Sequence, residues 1–202
     1  MFSNGNATLR EDRVKKELRS RLRAVLAAIS PDDMVSRSRA AARLLLAEPE
    51  YRRCETIMIY LSLPQEADTT PIVLQAWQDG KRVVAPQVSW ESRQMIPMEI
   101  RDLDTEVAAN NQLGVREPIS GQIIPVQQID LVIVPGLGFD PFGNRLGRGR
   151  GFYDRFLGKA EFRGIACGFA LEEQVVDSIP AGPLDQKVHM LVTDVKVRRF
   201  DP

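Results

Sequence analysis

The feature that most constrains the fold is a short apolar run, Leu131-Val132-Ile133-Val134, stopped by Pro135 and followed at once by a glycine-rich loop. The run reads as a buried strand. The loop carries six glycines, Gly136, Gly138, Gly143, Gly147, Gly149 and Gly151, and its last glycines alternate with Arg145, Arg148 and Arg150. After it, Phe152, Tyr153, Asp154, Phe156 and Leu157 restart an apolar rhythm of helical type. A strand, a basic glycine-rich loop and a helix form the layout of an anion site. Glycine lets backbone N–H groups approach an oxyanion, arginine supplies charge and forked donors, and a helix start adds a positive dipole end.

The rest of the chain supplies a sheet to carry this loop. Residues 9–29 read as a helix with Val14, Leu18, Leu22, Val25 and Ile29 on one face. Lys15, Arg19 and Arg23 line one edge of that face, either as a solvated stripe or with heads that reach a neighbouring cleft. Ser30-Pro31-Asp32-Asp33 is a helix start, and Pro49 is expected to end the helix over 31–47. Thr56 to Leu63 reads as a central strand, 70–78 as a helix closed by Gly80, and 82–86 as the next strand. That βαβ unit implies a parallel sheet, whose ligands sit at the carboxyl ends of strands, where Glu66 lies. Met95 to Ile100 is expected as an edge strand, 102–110 as a short helix and 113–118 as a loop. Further strands are expected over 164–170 and 190–193, with a last one over 195–197. The fold class is α/β: one domain over 9–202 with a mainly parallel central sheet flanked by helices on both faces, preceded by a disordered lead-in at 1–8.

Composition narrows the function. With 202 residues the chain suits one α/β domain. Its 27 basic and 27 acidic residues balance, which argues against nucleic acid as a partner. The charge is locally uneven, with seven basic residues and three acids over 10–23, and four basic residues and one acid over 145–155. Two basic patches in a neutral protein fit a small polyanion. No membrane span or signal peptide is readable, and a cytoplasmic monomer is expected. Cys54 and Cys167 are expected to be free buried thiols.

Several chemistries are excluded. The loop has no lysine-hydroxyl pair of the P-loop kind, and a G-x-G-x-x-G starting at Gly147 fails at Phe152. One histidine, His189, and no close cysteine pair give no zinc site, and no G-x-S-x-G is present. Phosphate held by arginines and backbone donors remains, with Mg²⁺ held by a few carboxylates. Asp154 is the metal candidate, unless it only complements the start of its helix.

The run GLGFDPFGNRLGRGRGFYDRFL resembles the signature of the 5-formyltetrahydrofolate cyclo-ligase family. Lys15 to Arg19, the segment between Leu61 and Thr69, and Asp185 to Val188 extend the likeness over nearly the whole chain. The resemblance implies an enzyme that uses ATP and Mg²⁺ to convert 5-formyltetrahydrofolate to 5,10-methenyltetrahydrofolate, releasing ADP and phosphate. It implies that Lys15, Arg19 and the stretch Arg145, Leu146, Gly147, Arg148, Gly149, Arg150, Gly151, Phe152 and Tyr153 bind ATP. Leu61, Glu66 and Arg148 to Phe152 would bind the folate, Arg148 and Tyr153 would be catalytic, and Asp154 and Asp185 would support magnesium. Phe152 stands where many members have tyrosine, His189 where relatives often place an acid, and Arg150 where some have lysine. A related enzyme acting on another formylated pterin or carboxamide, and a non-catalytic folate or nucleotide sensor, are the alternatives.

Overall fold

The structure, a computed structural model, describes residues 4–110 and 115–200. The helices are α1 (Asn4–Ala27), α2 (Pro31–Ala47), α3 (Pro49–Arg53), α4 (Thr70–Gln78) and α5 (Phe152–Leu157). The strands are β1 (Thr56–Ile59), β2 (Arg82–Ser89), β3 (Gln94–Glu99), β4 (Val107–Asn110), β5 (Val115–Pro118), β6 (Leu131–Val134), β7 (Gly138–Phe139), β8 (Arg145–Leu146), β9 (Ile165–Phe169), β10 (Met190–Val192) and β11 (Val197–Arg199).

Seven of these strands form one sheet in the order β11-β10-β9-β6-β1-β2-β3. The five inner strands are parallel, and β3 and β11 join antiparallel at the two edges. Alternation sorts the inner strands between two cores. Ile57, Ile59, Leu131 and Ile133 pack on the face covered by α1, α2 and α4, whereas Met58, Val132 and Val134 pack with Phe156 and Leu157 of α5. Helices therefore cover both faces, which is why the strands read as unbroken apolar runs. The register of β1 on β6 is fixed at its start by Asp130, whose Oδ2 accepts from Glu55 N (2.8 Å) and Thr56 N (2.9 Å).

From β1 the chain crosses to β2 on one side, while β6 leads to β9 and β10 on the other. The gap between the carboxyl ends of β1 and β6 is thus a topological switch point, where open α/β sheets bind ligands. The loops that leave these ends, 60–69 and 135–151, carry most of the site.

Several local expectations are corrected. The helix expected from residue 9 begins at Asn4, so 4–8 are helical rather than a lead-in, and residues 1–3 lie outside the described residues. Pro49 opens α3 instead of only ending α2, since proline fits the first helical turn. The strand expected to run to Leu63 leaves the sheet at Ile59, because the Tyr60 carbonyl accepts from Thr69 Oγ1 (2.7 Å). The helix expected over 102–110 is a turn followed by β4. Asp102 Oδ1 accepts from the backbone N–H of Asp104 (2.8 Å) and Thr105 (2.7 Å), a local bond that competes with helix, and β4 then pairs with β5. The loop expected over 113–118 is strand from Val115, with Leu113 and Gly114 outside the described residues. The last strand is 197–199, because Thr193 Oγ1 accepts from Val195 N and Lys196 N and holds them in a turn.

Candidate active site

A cleft of about 500 Å³ opens at the switch point. Its lining includes every residue to which the resemblance gives a site role: Lys15, Arg19, Leu61, Glu66, the whole run Arg145 to Asp154, and Asp185. The Arg23 end of the stripe on α1 is exposed and not part of it.

The glycine-rich stretch builds one wall. Its first half folds back as the β7–β8 hairpin, in which Asp140, fully buried, accepts from Phe142 N, Asn144 N, Asn144 Nδ2 and Ile179 N, each at 2.9 Å. The hairpin presents Arg145 from β8. Its guanidinium donates to Asp154 Oδ1 (2.8 Å) and the Pro135 carbonyl (3.3 Å) and lies 5.7 Å from the centre of the Tyr153 ring. The second half, 147–151, is open. Arg19 Nε donates to the Gly147 carbonyl (3.0 Å), so α1 props the loop from beneath. Gly151, at φ 67°, precedes α5, and that helix has only six residues. The positive charge of the wall therefore resides in guanidinium groups far more than in a helix dipole, which corrects the weight expected for the helix start.

Three ion pairs line the cleft. Lys15 Nζ lies 2.5 Å from Asp185 Oδ2, Arg145 Nη2 2.8 Å from Asp154 Oδ1, and Arg148 Nη2 2.8 Å from Glu66 Oε1. Glu66 Oε2 also accepts from Leu63 N (3.0 Å), which folds its loop back towards the arginine. Burial alone would raise the Asp185 carboxyl, but bonds from Lys15 and Gly182 N–H hold it below the ordinary carboxylate range. Tyr153 is pushed above its ordinary value, first by burial and then by the charge of Glu66. Its buried hydroxyl and the buried Nε of Arg145 find no hydrogen-bond partner among the described residues. Buried polar atoms are rarely left so, and both line this cleft.

The opposite wall is largely apolar. Pro86 and Val88 of β2, Trp90 at its turn, Met95 of β3 and Tyr60 form it together with Arg116 and Glu117 of β5. Trp90 meets Phe152 edge-on (centroids 5.3 Å, planes 87°), and Arg150 lies 5.8 Å from the Trp90 ring. The ring of Phe152 thus packs the rim. A basic wall facing an apolar one suits a ligand pair in which one is phosphorylated and the other is flat and aromatic.

The sequence matches the 5-formyltetrahydrofolate cyclo-ligase family over residues 11–194. The chain belongs to that family. A 5-formyltetrahydrofolate cyclo-ligase of Escherichia coli K12 is 30% identical over 173 residues, covering 84% of this chain and 94% of the relative. One from Mus musculus is 29% identical over 184 residues, covering 86% and 90%. Among solved structures, the NMR structure of Aquifex aeolicus 5,10-methenyltetrahydrofolate synthetase superposes with a TM-score of 0.81 at 27% identity, covering 94% of each chain. The synthetase of Mycoplasma pneumoniae, at 21% identity and TM-score 0.72, shares the fold.

Within this cyclo-ligase fold, sequence reasoning missed the apolar wall. Tyr60 was reachable, since it directly follows the carboxyl end of β1. Trp90, Met95, Arg116 and Glu117 come from hairpins whose placement over the cleft leaves no local signal. His189 is not in the cleft; its Nδ1 accepts from Ala166 N (2.9 Å), tying β10 to β9, and burial lowers its pKa. Cys54 and Cys167 are free and buried. Among the described residues no helix is long and apolar enough to cross a membrane.

Proposed function

We propose that this chain catalyses ATP- and Mg²⁺-dependent cyclisation of 5-formyltetrahydrofolate to 5,10-methenyltetrahydrofolate, with release of ADP and phosphate. The supporting observation is the convergence, in one cleft at the switch point, of Lys15 and Arg19 from α1, the Arg145–Tyr153 loop and Glu66. A formamide oxygen is a poor leaving group. Transfer of the γ-phosphoryl group to it makes it a good one. N10 then attacks the formyl carbon and loses its proton, the carbon–oxygen bond breaks and phosphate leaves, closing the ring. The protein's work is to position two ligands and stabilise phosphate charge, which requires arginines and backbone donors and no nucleophile.

In this reading Lys15, Arg19 and residues 145–153 hold the nucleotide, while Leu61, Glu66 and residues 148–152 meet the folate. Arg148 steadies the transferring phosphoryl group, and the Tyr153 hydroxyl gains the partner that it lacks among the described residues. Asp154 and Asp185 would hold magnesium. Among the described residues no group of three His, Cys, Asp or Glu side chains forms a ready metal site, but two carboxylates in a phosphate cleft suit Mg²⁺, which keeps waters and uses phosphate oxygens. When bound it supplies neutralisation of phosphate charge. A cytoplasmic monomer acting on small molecules completes the reading. The test is the rise in methenyl-folate absorbance with 5-formyltetrahydrofolate, ATP and Mg²⁺. Folded protein that gives no ATP-dependent rise refutes it, and tight ligand binding without ADP release would favour a sensor instead.

A further inference from the structure

We infer that Arg155, a residue outside the cleft lining, is a positioning residue that clasps the two walls together at the rim and so sets how the open stretch 147–151 meets the apolar wall. The inference rests on the cyclo-ligase reading above. Arg155 belongs to α5. Its Nε donates to the Arg93 carbonyl and its Nη2 to the Arg150 carbonyl, each at 2.8 Å. These donors leave one edge of the guanidinium side by side, so a single planar fork grips two backbones at once. Arg93 ends the turn between β2 and β3, the turn that begins with Trp90 of the apolar wall. Arg150 lies in the open stretch of the basic wall. Both acceptors are main-chain carbonyls, so the contact fixes the position of one wall against the other.

Around this fork, cations and rings alternate along the rim. Arg155 lies 5.3 Å from the centre of the Phe152 ring, Phe152 meets Trp90 at 5.3 Å, and Arg150 lies 5.8 Å from the Trp90 ring. Two local backbone features serve the clasp. A Cβ on Gly151 would sit 2.9 Å from Arg155 Nη1, so glycine there leaves room for the guanidinium to reach past the loop. Arg93, at φ 53°, is the only non-glycine residue in the left-handed region among the described residues, a strain that persists where the surroundings hold it. The other polar ties of the open stretch run to Arg19 of α1 and to Glu66, not to this turn. Without Arg155 each ligand would keep its own contacts, but the phosphate loop would shift relative to the wall that holds the folate. The γ-phosphoryl group must meet the formyl oxygen in line, and a misplacement of about 1 Å can cost about 100-fold in rate.

The experiment compares wild type with R155M and R155K, by steady-state kinetics on 5-formyltetrahydrofolate and ATP and by acrylamide quenching of tryptophan fluorescence. Methionine keeps the apolar stem without a donor, and lysine keeps the charge without the fork. R155M is expected to lower kcat about 30-fold while KM for each ligand stays within about threefold, since Arg155 touches neither. R155K should remain at least about tenfold below wild type in kcat. Trp90, 42% exposed, should be quenched more readily in both variants, while Trp77, whose Nε1 donates to the Ile100 carbonyl (3.0 Å), supplies a constant background. A kcat within about threefold of wild type in R155M, or in R155K, overturns the inference, as does damage confined to KM. Unchanged quenching overturns the clasp even where kcat falls. Should R155M fail to fold, as read by its melting curve, R155K decides by the same two measurements. Wild type that gives no methenyl product from the natural substrate and ATP overturns the cyclo-ligase reading itself, whereas the quenching comparison needs no substrate and tests the clasp separately.

Discussion

The two halves of the glycine-rich stretch share a composition but not a physics. Residues 136–146 are locked: Asp140 is fully buried beneath four donors, and Leu137 N donates to the Leu146 carbonyl at 2.8 Å. Residues 147–151 are held by single side-chain contacts with Arg19, Glu66, Trp90 and Arg155. The glycines differ accordingly. A Cβ on Gly138 would sit 2.6 Å from Leu22 Cδ1 of α1, so that glycine permits close packing. Gly149 has ordinary room around it but a φ of 97°, so it permits a backbone shape. A rigid half thus aims an adaptable half at the ligand. If so, substitutions in the first half should cost stability, and those in the second should cost turnover.

The largest effect is expected at Asp140. Asp140→Ala leaves buried N–H donors without an acceptor and should destabilise the fold by about 4 kcal/mol, a fall in Tm of about 10 °C. A melting curve within about 2 °C of wild type would remove the distinction between the halves. Arg148→Ala is the counterpart. It should lower kcat about 1,000-fold, the scale seen when a donor to transition-state charge is lost. Its ion pair with Glu66 is 43% exposed on the arginine side, so Tm should barely move. Full activity would contradict the role given to Arg148.

The glycines sharpen the contrast at smaller scale. Gly138→Ala should cost about 2 kcal/mol of stability by pushing α1 away, and should raise KM for ATP because α1 carries Lys15 and Arg19. Gly149→Ala should cost about 1 kcal/mol in stability but about tenfold in kcat, as the loop abandons its left-handed residue. Thermal melts and steady-state kinetics on both variants decide. Equal kinetic damage from the two would mean that the stretch acts as one unit.

The sequence carries this division only in part. The strands β1, β6 and β9 and helices α2 and α4 were readable because unbroken apolar runs, caps and prolines act locally. The location of the site was readable for the same reason, since a glycine-rich basic loop after a buried strand has few uses. The locked half was not: three donors to Asp140 are local, but the fourth is Ile179 N, 39 residues away in sequence, and nothing near Asp140 announces that partner. The apolar wall was hidden for a related reason: Asp102 nucleates a turn where helix was expected, and the β4–β5 hairpin that follows reaches the cleft only in three dimensions. Lys15 and Arg19 could be read from spacing as an edge stripe, but only the folded contact with Asp185 and Gly147 shows which end of it faces inward.

The smallest effect concerns the tie between α1 and Asp185, distinct from the open half's own tie to Arg19. Lys15 and the Gly182 N–H hold the Asp185 carboxyl below its ordinary value despite the opposing effect of burial. A carboxyl whose folded value lies below its unfolded one contributes stability that is complete above the unfolded value, about 3.9, and is lost as pH falls through the folded value. The contribution should therefore be constant from about pH 5 upward and fade below about pH 4. D185N removes it at every pH. The difference in Tm between wild type and D185N should be modest at neutral pH, because the carboxylate is partly exposed, and should shrink as the solution is acidified. A difference that grows in acid would mean that Asp185 is protonated in the folded protein, and the contact that brings Lys15 to the phosphate wall would need another cause.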